Sequence, residues 1–213
     1  MKTTVLFLLL LFSSWIRRDE NEKKVFSVGN FSFEFPANYK KKAKKYKDAE
    51  FAWIEQEHIL FSCDYGYYPS PVLSSPQEFF EQDKWKWNSL AKLNVLSTEK
   101  NVTDLLKKIK LLKSVTTDSI EYTNIYLFNN DTLKYPIKLP KEIRDNYFEM
   151  DTLEGVFYKR IKGIDFVQFY AKELNNYNPA LKANKTLTIT IEKLNKREIE
   201  RVWTILNSCK YTP

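Results

Sequence analysis

The chain has 213 residues, and with 43% hydrophobic and 15% aromatic residues it can bury the core of one ordinary domain. Its 34 basic residues are interspersed with 27 acidic ones, so the formal charge of +7 favours anionic surfaces only weakly and argues against a nucleic-acid binder. Only 4 residues are glycine, which argues against phosphate-cradling loops.

The N-terminus has the layout of a secretory signal, in which Lys2 precedes the apolar run Val5–Phe12 and two serines. The run is shorter than the roughly 20 residues that a membrane-spanning helix needs. It resembles the approach to a lipoprotein lipobox, but Trp15 stands where the lipidated cysteine belongs. We interpret residues 1–18 as a signal peptide or lipoprotein-like leader and residues 19–24 as a flexible lead-in. The expected location is periplasmic or extracellular; membrane association through an uncleaved anchor and a buried N-terminal strand are the alternatives.

The first predicted element of the fold is a β-hairpin or a short turn between two strands. Val25–Val28 and Phe31–Phe35 flank Gly29-Asn30, two residues that tolerate positive φ. In the second strand three phenylalanines alternate with polar residues, so they share one face.

Residues 38–47 form a basic run with two interleaved tyrosines. The run is interpreted as a solvated loop or edge segment. The functional alternative is a patch that binds an anionic lipid or polysaccharide. Its lysines are Lys40, Lys41, Lys42, Lys44, Lys45 and Lys47.

Two further strands are predicted at Phe51–Gln56 and Ile59–Tyr65, and they lead into the aromatic segment Asp64–Pro71. This segment is interpreted either as core packing with a bend at Gly66 or as a recognition loop, because tyrosine gives broad contact at low entropic cost. The binding residues of such a loop would be Asp64, Tyr65, Tyr67 and Tyr68.

A helix is predicted to begin at Ser75 and to run to about Leu93. Ser75 can cap it, Pro76 suits the first helical position, and Glu78 completes a capping box.

The middle of the chain has weaker patterns. Residues 102–114 suit either a helix or the beginning of a strand, whereas residues 120–128 are rich in β-branched and aromatic side chains and predict a strand. Residues 135–151 contain two prolines and mixed charges, and they are interpreted as a long irregular excursion with a short helix.

The closing part of the chain is the best patterned. Val156–Tyr158 and Ile164–Tyr170 predict a hairpin that turns at Lys162-Gly163, and an Asn-rich loop then leads to the strand Leu187–Ile191. A helix follows from about Lys196 to Ser208.

The final helix has clear signals at its start and along one face. Asn195 and Glu198 have the spacing of a capping box. Its apolar stripe predicts packing on a sheet and consists of Ile199, Val202, Trp203, Leu206 and Cys209.

Together these patterns predict an α+β fold in a single domain over residues 25–213. Strands outnumber helices, and tight connections favour antiparallel pairing. The expected architecture is a twisted antiparallel sheet flanked by helices, one near the middle of the chain and one at its end.

Three segments resemble the Mog1/PsbP-like sandwich: the strand Phe31–Pro36, the helix after Ser75, and the closing strand and helix that end in Ile205–Lys210. Asp64–Tyr68 is similar to a segment of exported proteins and lipoproteins of Bacteroidetes type. Mog1-like members bind a small GTPase, and PsbP-like members assist photosystem assembly. The resemblance implies an α/β/α sandwich with a non-enzymatic binding or assembly role, and it transfers no binding residue.

The residues that could carry chemistry are few. His58 is the only histidine, which excludes an HExxH zinc motif and three-histidine metal sites, and no G-x-S-x-G motif is present. We predict no catalytic residue, no metal ligand and no cofactor. Glu55, Glu57 and Asp64 are the nearest candidates for the paired carboxylates of a glycosidase.

Cys63 and Cys209 are the only cysteines. In an exported chain they can form a disulfide, which would stabilise the fold by about 4–5 kcal/mol on the chain-entropy model. The alternative is two separate buried thiols.

These observations predict an exported, non-catalytic binding or assembly protein of the cell envelope. Its partner would be another envelope protein or an anionic surface and not nucleic acid, with membrane contact only through an uncleaved leader. The alternatives are a carboxylate-dependent hydrolase acting on a polysaccharide and a carrier of lipid or another small ligand.

Overall fold

The computed structural model describes residues 22–81, 110–116, 121–128, 131–144 and 146–213. Thirteen strands and three helices lie in these ranges. The strands are β1 Lys23–Val28, β2 Phe31–Pro36, β3 Lys40–Lys45, β4 Ala49–Gln56, β5 Ile59–Gly66, β6 Lys110–Thr116, β7 Glu121–Phe128, β8 Asp131–Lys138, β9 Tyr147–Leu153, β10 Val156–Lys162, β11 Phe166–Asn178, β12 Ala183–Glu192 and β13 Lys210–Tyr211. The helices are α1 Pro76–Glu81, α2 Lys141–Arg144 and α3 Lys196–Asn207.

The chain divides into two compact units. The first contains the described residues up to Val72 together with Tyr147–Pro213, and the second is Leu73–Asn146. In the second unit, β6, β7 and β8 form a three-stranded antiparallel sheet in sequence order.

The first unit is built on a seven-stranded sheet with the order β3-β4-β5-β12-β11-β10-β9, and every neighbouring pair is antiparallel. Its hairpins join neighbours in sequence, but the central pairing of β5 with β12 joins distant parts of the chain. A smaller antiparallel sheet, β1-β2-β13, belongs to the same unit.

The core of this unit lies between the small sheet, α3 and one face of the large sheet. Phe33 of β2 meets Phe169 of β11 with ring centroids 5.5 Å apart, and Phe35 meets Phe61 of β5 at 5.0 Å. Because side chains alternate along a strand, these phenylalanines enter the core while Glu34 faces the other way.

The helix α3 begins as its sequence predicts. The Asn195 side chain accepts the backbone N–H groups of Arg197 and Glu198, and the Glu198 carboxylate accepts the N–H of Asn195 at 2.8 Å. These bonds satisfy donors that the first turn of a helix otherwise leaves unpaired. The buried face of α3 adds Ile199, Val202, Trp203, Ile205 and Leu206 to the core.

The predicted fold class, an α+β sheet flanked by helices, is wrong because the protein is mostly β-sheet. In the described ranges, α3 is the one helix longer than six residues, and the small sheet provides much of the cover over the large one. Polar segments that had been interpreted as loops form strands instead, because antiparallel pairing supplies hydrogen-bond partners for their backbone N–H and C=O groups.

Two loop predictions are corrected in the same way. The start of the Asn-rich segment extends β11 to Asn178, and β12 already begins at Ala183. The expected excursion over residues 135–151 contains part of β8, the short helix α2 and most of β9. The hairpin at Gly29-Asn30 and the hairpin after Val156 are confirmed. The strands predicted at 51–56, 59–65 and 120–128 are confirmed as β4, β5 and β7.

The helix expected after Ser75 is confirmed over Pro76–Glu81, and its continuation to Leu93 lies outside the described residues. The leader, residues 1–18, also lies outside them. None of the described helices combines the length and apolarity that crossing a membrane requires.

Candidate binding surface

The basic run forms β3, an edge strand of the large sheet that pairs with β4. Since side chains alternate along a strand, its lysines divide into two sets that project from opposite faces. Lys41 and Lys45 project towards the side that carries the core, and Lys40, Lys42 and Lys44 project away from it. Lys47 follows the strand and is exposed.

The core-side lysines bind one buried carboxylate. Glu50 accepts hydrogen bonds from Lys41 Nζ at 3.0 Å and from the Gly29 N–H at 3.1 Å, and Lys45 Nζ lies 3.6 Å away. Burial by itself opposes ionisation of Glu50, but these donors outweigh it and hold the pKa of the carboxyl below its usual value. Two members of the basic run therefore neutralise a structural acid.

The outward-facing lysines lie beside a set of exposed apolar side chains. In the antiparallel register Lys42 lies opposite Trp53 and Lys44 opposite Phe51. The exposed fractions are 37% for Phe51, 39% for Trp53, 43% for Leu60 and 55% for Tyr46. We call this surface the aromatic-lysine face, and it consists of Lys40, Lys42, Lys44, Tyr46, Phe51, Trp53 and Leu60.

Contacts within the aromatic-lysine face order its side chains. The rings of Tyr46 and Phe51 meet edge to face with centroids 5.9 Å apart, and the Lys44 ammonium lies 5.9 Å from the centre of the Tyr46 ring. Lys42 forms an ion pair with Glu55 at 2.9 Å, whereas Lys40 and Lys44 make no ion pair with any residue that the structure describes. Lys40 and Lys44 therefore carry positive charge that no ion pair with a described residue neutralises.

The four proposed recognition residues do not form one exposed cluster. Tyr65 is buried in the core, and Tyr68 is exposed and donates its hydroxyl to the Leu181 carbonyl at 3.1 Å. The Lys185 ammonium lies 5.7 Å from the Tyr65 ring and 5.6 Å from the Tyr67 ring.

Asp64 projects from the opposite face of β5. It lies opposite Phe51 in the register, so it borders the aromatic-lysine face. Burial raises the pKa of the Asp64 carboxyl. The sequence predicted Asp64 and Tyr65 in one recognition loop, but alternation along β5 places them on opposite faces of the sheet.

A second buried carboxylate, Glu173 of β11, projects to the core side of the large sheet. It accepts the Tyr65 hydroxyl at 2.7 Å, the Asn176 amide at 2.8 Å, the Asn30 amide at 3.3 Å and the Tyr211 hydroxyl at 3.4 Å. Burial, followed by the bond to Glu173, raises the pKa of Tyr65, so its hydroxyl stays a donor. This network joins both sheets and is structural in character.

The two cysteines are unpaired in the structure, Cys63 buried and Cys209 half-buried. Burial raises the pKa of both thiols to about 12, so neither is a nucleophile at neutral pH. The disulfide stays a prediction that a thiol assay can decide.

The single histidine lies in the turn between β4 and β5, and its Nε2 is 2.8 Å from Glu198 Oε1. Glu198 is already committed to the helix cap, and the Asn195 N–H is the main group that lowers the pKa of its carboxyl. Across the described ranges no group of three or more His, Cys, Asp or Glu residues could hold a metal ion.

A shallow polar cavity of about 510 Å³ adjoins the aromatic-lysine face. It is lined by Asn38, Lys40, Glu55, Gln56 and Glu57. Two of the carboxylates considered for a hydrolase are therefore neighbours here, while Asp64 is not part of the lining.

Phe51, Trp53 and Leu60 were not predicted from the sequence to be surface residues. A signal was present for two of them, because the charged residues Glu55 and Glu57 favour the solvent face and Phe51 and Trp53 share their parity. No known family model matches the chain, and no curated protein is significantly similar to it.

Proposed function

We propose that the protein is an exported, non-catalytic binding protein of the cell envelope whose partner is an anionic surface. The observation that carries this proposal is the aromatic-lysine face, where Phe51, Trp53 and Leu60 remain exposed beside Lys40 and Lys44. Folding leaves these apolar side chains exposed to water, although the opposite face of the same sheet buries apolar side chains in the core.

The composition of the face indicates the kind of partner. Burying a side chain of this size is worth about 1.5–3 kcal/mol, so a contiguous exposed group is a latent source of binding energy. The neighbouring lysines are positively charged, so they attract anionic partners and repel cationic ones.

Binding to an immobilised polyanion tests the proposal. The full chain is applied to phosphocellulose and eluted with salt, beside Lys40→Gln/Lys44→Gln and a control, Lys196→Gln/Arg197→Gln, which removes the same charge from the exposed start of α3. We expect the first variant to elute at clearly lower salt and the control to elute near the unmodified protein. Equal shifts in both variants would show that only net charge matters and would overturn the proposal.

The polar cavity supports a second candidate, a carboxylate-dependent hydrolase acting on a polysaccharide. Glu55 and Glu57 both line the cavity, and paired carboxylates are the catalytic groups of most glycosidases. Release of reducing ends from a panel of envelope polysaccharides, abolished by Glu57→Gln with the fold intact, would establish this activity. The polar lining gives no support to the third alternative, carriage of a lipid or another small apolar ligand.

A further inference from the structure

We infer that the anionic surface is a lipid bilayer and that the aromatic-lysine face lies flat on it. This inference rests on the proposed function and adds the class of partner. It also narrows the sequence-based alternative that the lysine run binds an anionic lipid or polysaccharide, and it goes beyond the expectation of membrane contact only through an uncleaved leader.

The geometry of the face suits a planar target. Its side chains come from the neighbouring strands β3, β4 and β5, and within each strand every second side chain projects from the sheet in the same direction. Along β3 the outward lysines recur at every second residue, so their Cα atoms are spaced by about 7 Å. Three ammonium groups and three apolar side chains can thus meet a single plane at once.

The chemistry of the face matches the two layers of a bilayer surface. Tryptophan and other amphipathic rings settle at the headgroup level, which suits Trp53 beside Phe51. Lysine stems lie along apolar surface while their ammonium groups stay at the phosphates. Each lysine near an anionic membrane strengthens binding about fivefold.

Leu60 decides between lipid and an acidic sugar polymer. A polysaccharide is held by stacking on rings and by hydrogen bonds to its hydroxyls, and an exposed aliphatic side chain supplies neither. In a bilayer the same side chain gains free energy by entering the acyl boundary.

Vesicle co-sedimentation tests the inference with the full chain. One set of vesicles is phosphatidylglycerol with phosphatidylcholine, and the other is phosphatidylcholine alone. The variants are Phe51→Ser/Trp53→Ser, Lys40→Gln/Lys44→Gln and the control Lys196→Gln/Arg197→Gln. Residues 1–18 are the same in every protein, so any contribution from the leader is constant.

We expect binding to the anionic vesicles to fall at least tenfold in Phe51→Ser/Trp53→Ser and about 25-fold in Lys40→Gln/Lys44→Gln, since two lysines are removed. The control should stay within about twofold of the unmodified protein, because it leaves the face intact and a bilayer senses charge only within a Debye length. Circular dichroism and thermal unfolding establish that each variant is folded.

Fluorescence quenching by brominated phosphatidylglycerol gives a second measurement that a membrane-inserted leader cannot obscure. The part of the fluorescence quenching that disappears in the Trp53→Phe variant reports the contact of Trp53 itself with lipid. Absence of any such component overturns the inference even if the chain sediments with vesicles.

Different results would refute the bilayer as partner and the proposed function. Retention on phosphocellulose through Lys40 and Lys44 without binding to anionic vesicles would refute the bilayer and leave an anionic partner standing. If the protein binds neither phosphocellulose nor anionic vesicles through the face, so that the variants behave like the unmodified chain, the proposed function is refuted as well.

Discussion

The Tyr65 hydroxyl donates a hydrogen bond of 2.7 Å to the Glu173 carboxylate in the interior of the first unit. Tyr65 comes from β5 and Glu173 from β11, with β12 between them. Because the same carboxylate also accepts from Asn30 and Tyr211, it links the large sheet to the turn and the last strand of the small sheet.

Removing this hydroxyl should destabilise the fold. A hydrogen bond to a charged group contributes about 1.5–3 kcal/mol, and we expect Tyr65→Phe to lower the free energy of unfolding by that amount. Urea unfolding followed by circular dichroism measures the change. The control is Tyr68→Phe, whose exposed hydroxyl contacts the Leu181 carbonyl and should cost under about 1 kcal/mol. Equal losses of unfolding free energy in the two variants would show that the buried hydrogen bond stabilises the fold no more than the exposed one.

Glu50 should make stability depend on pH. Its pKa is lower in the folded chain than the usual value of about 4.3, so its contribution is present above that value and is lost as the pH falls through the folded pKa. We expect Glu50→Gln to cost about 2 kcal/mol at neutral pH. Measured between about pH 5 and pH 3, the difference from the unmodified chain should shrink, because protonation makes the native carboxyl resemble the amide. A difference that stays constant would contradict the assignment.

Gly29 should not tolerate a side chain. It has φ of +56°, and a Cβ atom there would lie 2.3 Å from Cε1 of Tyr65. Left-handed backbone costs about 1–2 kcal/mol for an L-residue, and displacement of the ring adds overpacking, so we expect Gly29→Ala to lose about 2–4 kcal/mol of stability. Gly66→Ala is the control, since its nearest contact, the Asp48 carbonyl oxygen, is 3.1 Å away. Chemical denaturation of both variants should place Gly29→Ala well below Gly66→Ala.

The helix cap offers a separate measurement at the other end of the chain. Asn195→Ala removes the acceptor for two N–H groups of the first turn and should cost about 1 kcal/mol. Asn207→Ala, at the exposed last residue of α3, should change stability by only a few tenths of that amount. Thermal unfolding of the two variants compares them directly, and equal effects would mean that the capping box contributes nothing.

Thiol reactivity decides the state of the cysteines. Burial raises the pKa of Cys63 and Cys209 to about 12, so the native protein should react slowly with Ellman's reagent at neutral pH and release two equivalents once denatured. In Cys209→Ser one equivalent should remain. Failure of the denatured, unreduced chain to react would mean that the two cysteines are joined by a disulfide.

Prediction from sequence worked best where the determining interactions are local. The turn at Gly29-Asn30 and the cap at Asn195 are set by residues within a few positions of each other, and the structure has both. The fold class depended on which surfaces cover the large sheet, and there the same reasoning failed. It expected helices as the covering layers and interpreted parts of β9, β11 and β12 as loop.

The candidate site was only partly predictable. The lysine run was identified as a solvated loop or an edge segment, and it is an edge strand, but two of its members neutralise Glu50. Tyr65 was grouped with Tyr68 because they are close in sequence, whereas alternation and a distant acceptor send Tyr65 into the core. The residues that a side chain contacts on other strands are distant from it in sequence, so the local pattern does not reveal them.

By itself the sequence determined the hairpins, the final helix and the basic composition of one segment, because turn chemistry and apolar periodicity act over a few residues. The tertiary structure alone decided that β5 pairs with β12, that Glu173 gathers donors from distant segments, and that Phe51 and Trp53 stay exposed beside the lysines of β3. These features arise from pairings between distant strands, whose register decides which side chains share a face.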